Sequence, residues 1–537
     1  MRVITFLFIA VAFGFSGNVL AQENQFAVFF KDKKGASFSL DQPEQFLSEK
    51  SLQRRLKQGI ELDEKDLPVS YAYLNELKAN DAKIIYTSKW LNGALIEVVD
   101  TSAKDKIKQL PFLRTPSFPL GTLELNEVNE IAEELNYGNS FAQNEMLGVD
   151  LMHELGYNGE GITIAIVDGG FNNANEIAAF DRLFQKEKIK GTFDFVELEE
   201  NVYDDHKHGL QVFSAMAAYV PGELIGPAYN ADYFLFRTED TGTEVRIEEF
   251  YWAVAAEYAD SAGVDILSSS VGYNLFDDPN DDYVQEDLNG EKAMITQVAD
   301  IAAGRGILVV VSAGNEGNDP WKSIIFPADA DSVLAVGAVN QVGVLTAFSS
   351  IGPSADNRIK PDLVAMGQGT ILLSPTGSIT SNNGTSFAAP LVAGLAAGVW
   401  QAFPHLTNME LLELLKNSGS QASNPDNELG YGIPSFKTII ENSPLGLNEP
   451  KDDLEQLMVY PNPNSGVIQL DLPEKVLGKE MNLVLTSIEG KEIYKSRTFP
   501  NEALYQIKIS EGLKLKGLHL LKVQYHTISK VFKIYFK

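Results

Sequence analysis

Ile162-Thr-Ile-Ala-Ile-Val-Asp168-Gly-Gly170 is the stretch on which the fold turns. Apolar and β-branched residues follow one another without the polar alternation of a half-wet strand. The run therefore reads as a strand buried on both faces and ended abruptly by Asp-Gly-Gly. The same texture returns at Ile307–Val311 and Val333–Val336, and more briefly at Asp232–Phe236 and Val264–Leu267. Between these runs, Gly209–Ala218, Val245–Ala259 and Gln297–Ala303 carry helical periodicity. Short buried strands alternating with helices predict an α/β domain over residues 141–442, a parallel sheet with helices on both faces. The apolar run Phe387–Trp400 holds Pro390 and many small residues, and reads as a buried helix of that domain.

The segments on either side differ in texture. Upstream, Phe26–Phe30 and Gly93–Val99 read as strands, with charged helical stretches near Pro43–Gln58 and Ser70–Asn80, which predicts a small α+β unit within residues 22–140. The unit ends in an acidic run, Glu124–Glu134, and a polar stretch, Tyr137–Gln143. Ahead of it, Arg2, the apolar run Val3–Phe15 and Val19-Leu-Ala21 form the pattern of a cleavable signal peptide over residues 1–21, too short to span a bilayer. Downstream, residues 443–458 read as a linker. Residues 459–537 carry a net charge of +5 against −35 for the rest, and their alternating strands, as in Val467–Leu472 and Tyr505–Ile509, predict a small β-sandwich.

Composition bounds the function. The 537 residues suit three or four domains, and 44% hydrophobic with 22% charged residues is a globular mix that excludes global disorder. A net charge of −30 disfavours nucleic acid and anionic membrane surfaces as partners. With no cysteine, disulfides, zinc-thiolate sites, iron–sulfur clusters and a cysteine nucleophile are excluded.

Four side chains of the central domain stand at element boundaries beside glycine or near it. Asp168 ends the first buried strand, at the sheet edge where ligands collect, although an acid there also serves as a helix cap or as a ribose-binding group. His208, in Asp205-His-Lys-His-Gly209, precedes a helix, and His206 is its near neighbour. Asn315, in Val309-Val-Val-Ser-Ala-Gly-Asn-Glu-Gly317, is either conformational or an amide donor aimed at a developing oxyanion. Ser386, in Asn383-Gly-Thr-Ser-Phe-Ala-Ala-Pro390, is either a helix cap or a nucleophile at a helix N-terminus.

Taken together, the order Asp168, His208, Asn315, Ser386 and the surrounding motifs resemble the subtilisin-like serine peptidases. Ser269-Ser-Val-Gly272, Phe348-Ser-Ser-Ile-Gly-Pro353 and Lys360-Pro-Asp-Leu-Val-Ala365 extend the resemblance over roughly residues 145–440. It implies a subtilisin-like α/β fold and a secreted endopeptidase that cleaves protein or peptide substrates through an acyl-enzyme. Ser386 would be the nucleophile, His208 the base and then acid, Asp168 the orienting carboxylate and Asn315 an oxyanion donor. Ser269, Ser270, Val271 and Gly272 would bind substrate backbone by strand addition. No cofactor is implied. Two departures are Leu210, where the family has a small threonine, and Ile351, where a polar residue is common.

The flanks are similar to known companions of such enzymes. Asp66-Leu-Pro-Val-Ser-Tyr-Ala-Tyr73 and Ser88-Lys-Trp-Leu-Asn-Gly-Ala94 resemble propeptides of exported bacterial members. This implies that the protein's own propeptide acts as intramolecular inhibitor and folding aid. Val459-Tyr-Pro-Asn-Pro-Asn-Ser-Gly466, Gly490–Tyr494 and Gly517–Val523 resemble the sorting domain of type IX secretion. That implies the type IX machinery as a partner and release to the medium or the cell surface, an adhesive sandwich being the alternative. Asp277-Asp278 and Asp281-Asp282 offer oxygen ligands to calcium as a structural ion, or form a solvated face; no EF-hand spacing is present. A catalytically inactive surface-binding protein is the second functional reading. An α/β-hydrolase esterase is a third, and its Gly-x-Ser-x-Gly elbow does not occur around Ser386.

Overall fold

A computed structural model describes residues 25–98, 101–114, 135–442, 457–460, 466–472, 476–479, 481–487, 491–502, 504–509, 515–525 and 528–536. The expected signal segment 1–21, the acidic run 124–134 and most of the 443–458 linker lie outside the described residues. The chain divides into two compact units between Thr438 and Ile439.

The first unit is built on seven strands: β1 (Thr163–Asp168), β2 (Ile189–Asp194), β3 (Asp232–Arg237), β4 (Ile266–Ser269), β5 (Leu308–Ser312), β6 (Val333–Val339) and β7 (Leu363–Met366). They lie in the order β7-β6-β5-β4-β1-β3-β2, and every pairing is parallel. The five expected strands lie within a few residues of their predicted places. β2 and β7 are additional. β2, Ile-Lys-Gly-Thr-Phe-Asp, lacks a continuous apolar run because it is an edge strand, and its Lys190 is buried beside Asp232 of β3.

Four helices cover this sheet: α1 (His208–Ala217), α2 (Glu248–Ala262), α3 (Met294–Gly304) and α4 (Thr385–Ala402). Alternate strand side chains, Ala165, Val167, Leu267, Val309 and Val311, share a core with Phe250, Trp252 and Val298 of α2 and α3. α1 and α4 pack together and α4 lies on β4 to β7. Small residues permit this. A Cβ on Gly394 would come within 2.4 Å of the Pro227 ring, so a larger residue would lift α4 off its neighbours. After β3 the chain crosses β1 to place β4 on its other side. The carboxyl ends of β1 and β4 thus flank a topological switch point, where open α/β sheets bind ligands.

Residues 25–114 form an antiparallel sheet ordered Ala82–Ser88, Gly93–Val98, Gln25–Phe30 and Leu113–Arg114, with helices at Glu49–Gln58, Tyr71–Ala79 and Thr101–Lys108. Its two faces have different partners. Val28, Phe30, Ala94 and Ile96 bury against its own helices, whereas Ala27, Phe29, Tyr86 and Leu95 join the core that contains α2. A period-2 strand that is apolar on both faces needs a covering on each side, and α2 supplies the second. The polar seam is equally specific. Asp260 of α2 is fully buried and pairs with Arg54, with Arg55 at 2.8 Å and with Lys89 at 2.8 Å. Glu257 accepts from the Ser88 hydroxyl and from the Lys89 and Trp90 N–H groups at 2.8 and 3.2 Å.

The second unit contains a three-stranded sheet (Met458–Tyr460, Val467–Asp471, Leu504–Lys508) and a four-stranded one (Glu492–Thr498, Met481–Ser487, Gly517–Tyr525, Ile528–Phe536). Every pairing is antiparallel, and inward residues of both, among them Ile468, Leu470, Leu483, Ile507 and Val523, form one core. This is the arrangement that the alternating pattern predicts for a small sandwich.

Candidate active site

Asp168 is the last residue of β1 and is fully buried. Its Oδ1 accepts from the Gly169 N–H at 2.8 Å and lies 2.8 Å from Nδ1 of His208, the first residue of α1. The approach requires a glycine after the histidine. A Cβ on Gly209 would lie 2.5 Å from the Gly170 carbonyl oxygen and 2.8 Å from the Asp168 Cβ, so any side chain there would push α1 off the strand end. Leu210, the departure from the family pattern, is fully buried. Burial disfavours the protonated His208 ring, but the charge and hydrogen bond of Asp168 outweigh it and hold its pKa above the ordinary 6.5. With Nδ1 engaged, Nε2 is the nitrogen left to handle a proton. His206 has no such carboxylate bond, and burial, helped by His208, lowers its pKa.

Ser386 is the second residue of α4 and 7% exposed. Its carbonyl accepts from the Ser270 hydroxyl at 2.8 Å, and its own hydroxyl has no hydrogen-bond partner among the described residues. The ring of the next residue, Phe387, lies 5.4 Å from the His208 ring, so the packed ends of α1 and α4 bring the two segments together. Asn315 follows β5. Its Oδ1 accepts from the Thr385 N–H at 2.9 Å and the Thr385 hydroxyl at 3.2 Å. These bonds orient the amide and leave its NH2 as the free end.

Ser386 and Asn315 line one cavity of about 360 Å³, together with Ser270, Val271 and Gly272. Of the four expected substrate-binding residues, Ser269 stands apart. It is fully buried, and its hydroxyl accepts from the Trp252 indole N–H at 2.9 Å, which fixes β4 to α2 rather than facing the cavity. The same cavity is lined by Glu239, Glu244, Glu248 and Glu316, which have no role in the sequence reading. Glu239 lies just beyond the carboxyl end of β3, so the strand-end rule that singled out Asp168 applies to it equally.

Three of the four carboxylates of the acidic loop expected to offer calcium ligands accept from nearby backbone N–H groups. Asp277 accepts from the Glu244 N–H at 3.2 Å, Asp278 from the Asn280 N–H at 3.0 Å, and Asp282 from the Phe276 N–H at 2.7 Å. Among the described residues no group of three or more His, Asp or Glu is placed to hold a metal ion. No helix among them is long and apolar enough to cross a membrane.

Comparison with known proteins matches this architecture piece by piece. Residues 159–432 match the subtilase family model, 25–134 the peptidase S8 propeptide domain of Bacteroidota, and 458–537 the secretion system C-terminal sorting domain. Subtilisin NAT of Bacillus subtilis subsp. natto is 28% identical over 302 residues, covering 54% of this chain and 70% of the relative. The alkaline protease of Alkalihalobacillus alcalophilus is 26% identical over 369 residues, 67% of this chain and 86% of the relative. In fold, the crystal structure of the epidermin leader peptide processing serine protease of Staphylococcus aureus superposes with a TM-score of 0.51 at 19% identity, covering 70% of this chain and 97% of that one. The sorting domain indicates export to the medium or the cell surface. The chain belongs to the subtilase family and is a secreted serine endopeptidase matured by removal of its propeptide.

Proposed function

We propose that Ser386, His208 and Asp168 carry the peptide-bond hydrolysis of this endopeptidase, and that Asn315 stabilises its oxyanion. The hydroxyl of Ser386 attacks the substrate carbonyl and Nε2 of His208 takes its proton. The acyl-enzyme forms as the same nitrogen returns the proton to the leaving amine. Asp168 holds the ring through Nδ1 and offsets the charge of the imidazolium. The developing oxyanion is met by the Asn315 NH2 and the Ser386 N–H at the start of α4, where the helix dipole adds to the field. Ser270, Val271 and Gly272 present the edge along which the substrate backbone lies, and Ser269 supports that edge from behind.

The observation that carries this reading is the 2.8 Å bond from His208 to a buried carboxylate at the strand end, with an unpartnered serine hydroxyl at the adjoining helix start. The experiment is intact-mass analysis of purified mature protein after treatment with a fluorophosphonate, with the adduct mapped by peptide. We expect one adduct, on Ser386, lost in His208→Ala. A folded, propeptide-free protein that takes no adduct would return the chain to the inactive surface-binding reading.

The finer organisation belongs to the same proposal. Residues 1–21 direct export to the periplasm, 22–140 form the inhibitory propeptide, 141–442 the peptidase domain, 443–458 a linker, and 459–537 the tail read by the type IX machinery. The Asn136 carbonyl accepts from the Gly222 N–H at 2.6 Å, so residues 136–140 go with the peptidase domain and the maturation cut belongs upstream of Asn136, a few residues before the boundary at 140. Deleting Val459–Lys537 should leave peptidase activity intact and trap the enzyme in the periplasm; normal export of the deletion would return the tail to the adhesive reading.

A further inference from the structure

The cavity beside Ser386 is lined by five acidic residues, Glu239, Asp240, Glu244, Glu248 and Glu316, and by no lysine or arginine. Glu316 accepts from the Ser350 hydroxyl at 2.8 Å, and burial raises its pKa. The arginines flanking residues 239–244 in sequence are committed elsewhere, Arg237 to Asp194 and Asp205, and Arg246 to Glu249. Among the described residues, none of Glu239, Glu244 and Glu248 forms an ion pair with a lysine or arginine side chain.

Glu239 and Glu248 are held in place, whereas the Glu244 side chain is exposed. Both oxygens of Glu239 lie 2.9 Å from the Tyr273 hydroxyl, and one also accepts from Thr238. Glu248 is 1% exposed and accepts from the Asp240 and Val245 N–H groups at 2.8 Å each. Burial, reinforced by mutual repulsion, pushes the carboxyls of Glu239 and Glu248 well up, and partial desolvation beside Asp277 pushes Glu244 up to about 7. Asp168 adds to the negative field on Glu239. An anionic lining without its cation is unfavourable in the empty enzyme and becomes favourable once a cation enters.

Two hydroxyls at this cavity lack a partner among the described residues: that of Ser386, which is more than nine-tenths buried, and that of Thr243, a partly buried residue of the same lining. A peptide lying along Ser270–Gly272 with its reacting carbonyl at Ser386 and Asn315 sends side chains from its acyl side into this space.

We propose that the cavity selects substrates bearing a lysine or arginine side chain on the acyl side of the scissile bond, its cationic head lying among Glu239, Glu244 and Glu248. The inference rests on the assignment of Ser386 as nucleophile. It also carries a pH signature. An incoming cation favours the ionised carboxylates and expels their protons, so the preference for basic substrates strengthens as the solution becomes more alkaline.

The test is a positional peptide library, varied among Lys, Arg, Leu, Phe, Gln and Glu at each of the residues preceding the cut. It is run on the mature enzyme with chelator present, so that no metal cation occupies the cavity. We expect kcat/KM for Lys or Arg to exceed that for Leu by about tenfold or more in at least one position under mildly alkaline conditions, with a smaller ratio under mildly acidic ones. Glu239→Gln and the more exposed Glu244→Gln should each lower that ratio severalfold while the fluorophosphonate adduct on Ser386 still forms. Leu or Phe leading at every position, or a ratio unmoved in both variants, would overturn the proposal. No cleavage of any peptide together with no adduct would instead remove the nucleophile assignment, and the proposal with it.

Discussion

Asp260→Asn tests how the propeptide is held. The carboxylate is fully buried in α2 and faces three cations from residues 25–114: Arg54, Arg55 at 2.8 and 3.0 Å, and Lys89 at 2.8 Å. Their combined field keeps Asp260 ionised and depresses its pKa far below the usual carboxylate range, against the opposing effect of burial. The amide is nearly isosteric, so the change removes charge with little change in shape. Arg55 would retain Asp66 at 2.7 Å, and Arg54 would retain the carbonyls of Val264 and Arg305 at 2.7 and 3.0 Å, but Lys89 would lose its ion pair. Breaking a buried pair by neutralising one partner costs about 3–5 kcal/mol, because the other charges stay buried and uncompensated. At about 1.4 kcal/mol per decade, the propeptide should detach at least about a hundredfold more often. The assay is limited trypsin digestion of the uncut Ser386→Ala protein with and without Asp260→Asn, read as the rate of cleavage within residues 25–114. When opening is fast relative to cleavage, that rate follows the open population. The mature enzyme, which has already lost the cations, should hydrolyse a short peptide at its usual rate. Equal trypsin resistance in the two proteins would refute the argument that this ion cluster holds the propeptide.

Three other outcomes follow from the site. Protonated His208 cannot accept the serine proton, so kcat/KM should rise with pH through a limb above 6.5; Asp168→Asn should move the limb down and cost about 10³–10⁴-fold in rate, and an unmoved limb would detach it from this histidine. In stability the same raised pKa acts in the opposite sense, its contribution being full below 6.5 and lost as pH rises through the folded-state value. Asn315→Ala should lower kcat about 10²–10³-fold with KM nearly unchanged, since the lost bond forms only in the transition state, and a change confined to KM would count against an oxyanion role. Gly209→Ala, which in an open helix would stabilise by about 0.5–1 kcal/mol, should instead destabilise by about 1–3 kcal/mol and lower activity, because the new Cβ meets the Gly170 oxygen and Asp168; a raised melting temperature with full activity would contradict the close packing.

The catalytic candidates were legible because each is anchored to a local signal that survives folding. Asp168 ends a run of buried strand, Asn315 follows another, His208 opens a helix, and Ser386 opens a helix of small residues. Their spacing along the chain then matched a known order. The acidic lining of the cavity had no comparable signal. Thr238-Glu-Asp-Thr-Gly-Thr-Glu244 reads as an ordinary polar loop, and its character comes from partners far along the chain: Tyr273 for Glu239, Asp277 for Glu244. The start of α2 was misjudged for a related reason. Glu248 reaches back to the Val245 and Asp240 N–H groups, so the helix begins three residues later than periodicity suggests, and its end moves on to Ala262, where Gly263 turns with φ +90°. The ion cluster around Asp260 was invisible in the same way. Arg54, Arg55 and Lys89 look in sequence like solvated charges, and only docking two separately patterned segments buries them. Both features lie where one segment's side chains complete another's. The chemistry of the site is thus written locally, while what it selects and how it is restrained depend on long-range complementarity of charge. That is why the propeptide variant and the cavity variants, rather than the catalytic serine, probe what the strand and helix patterns leave open.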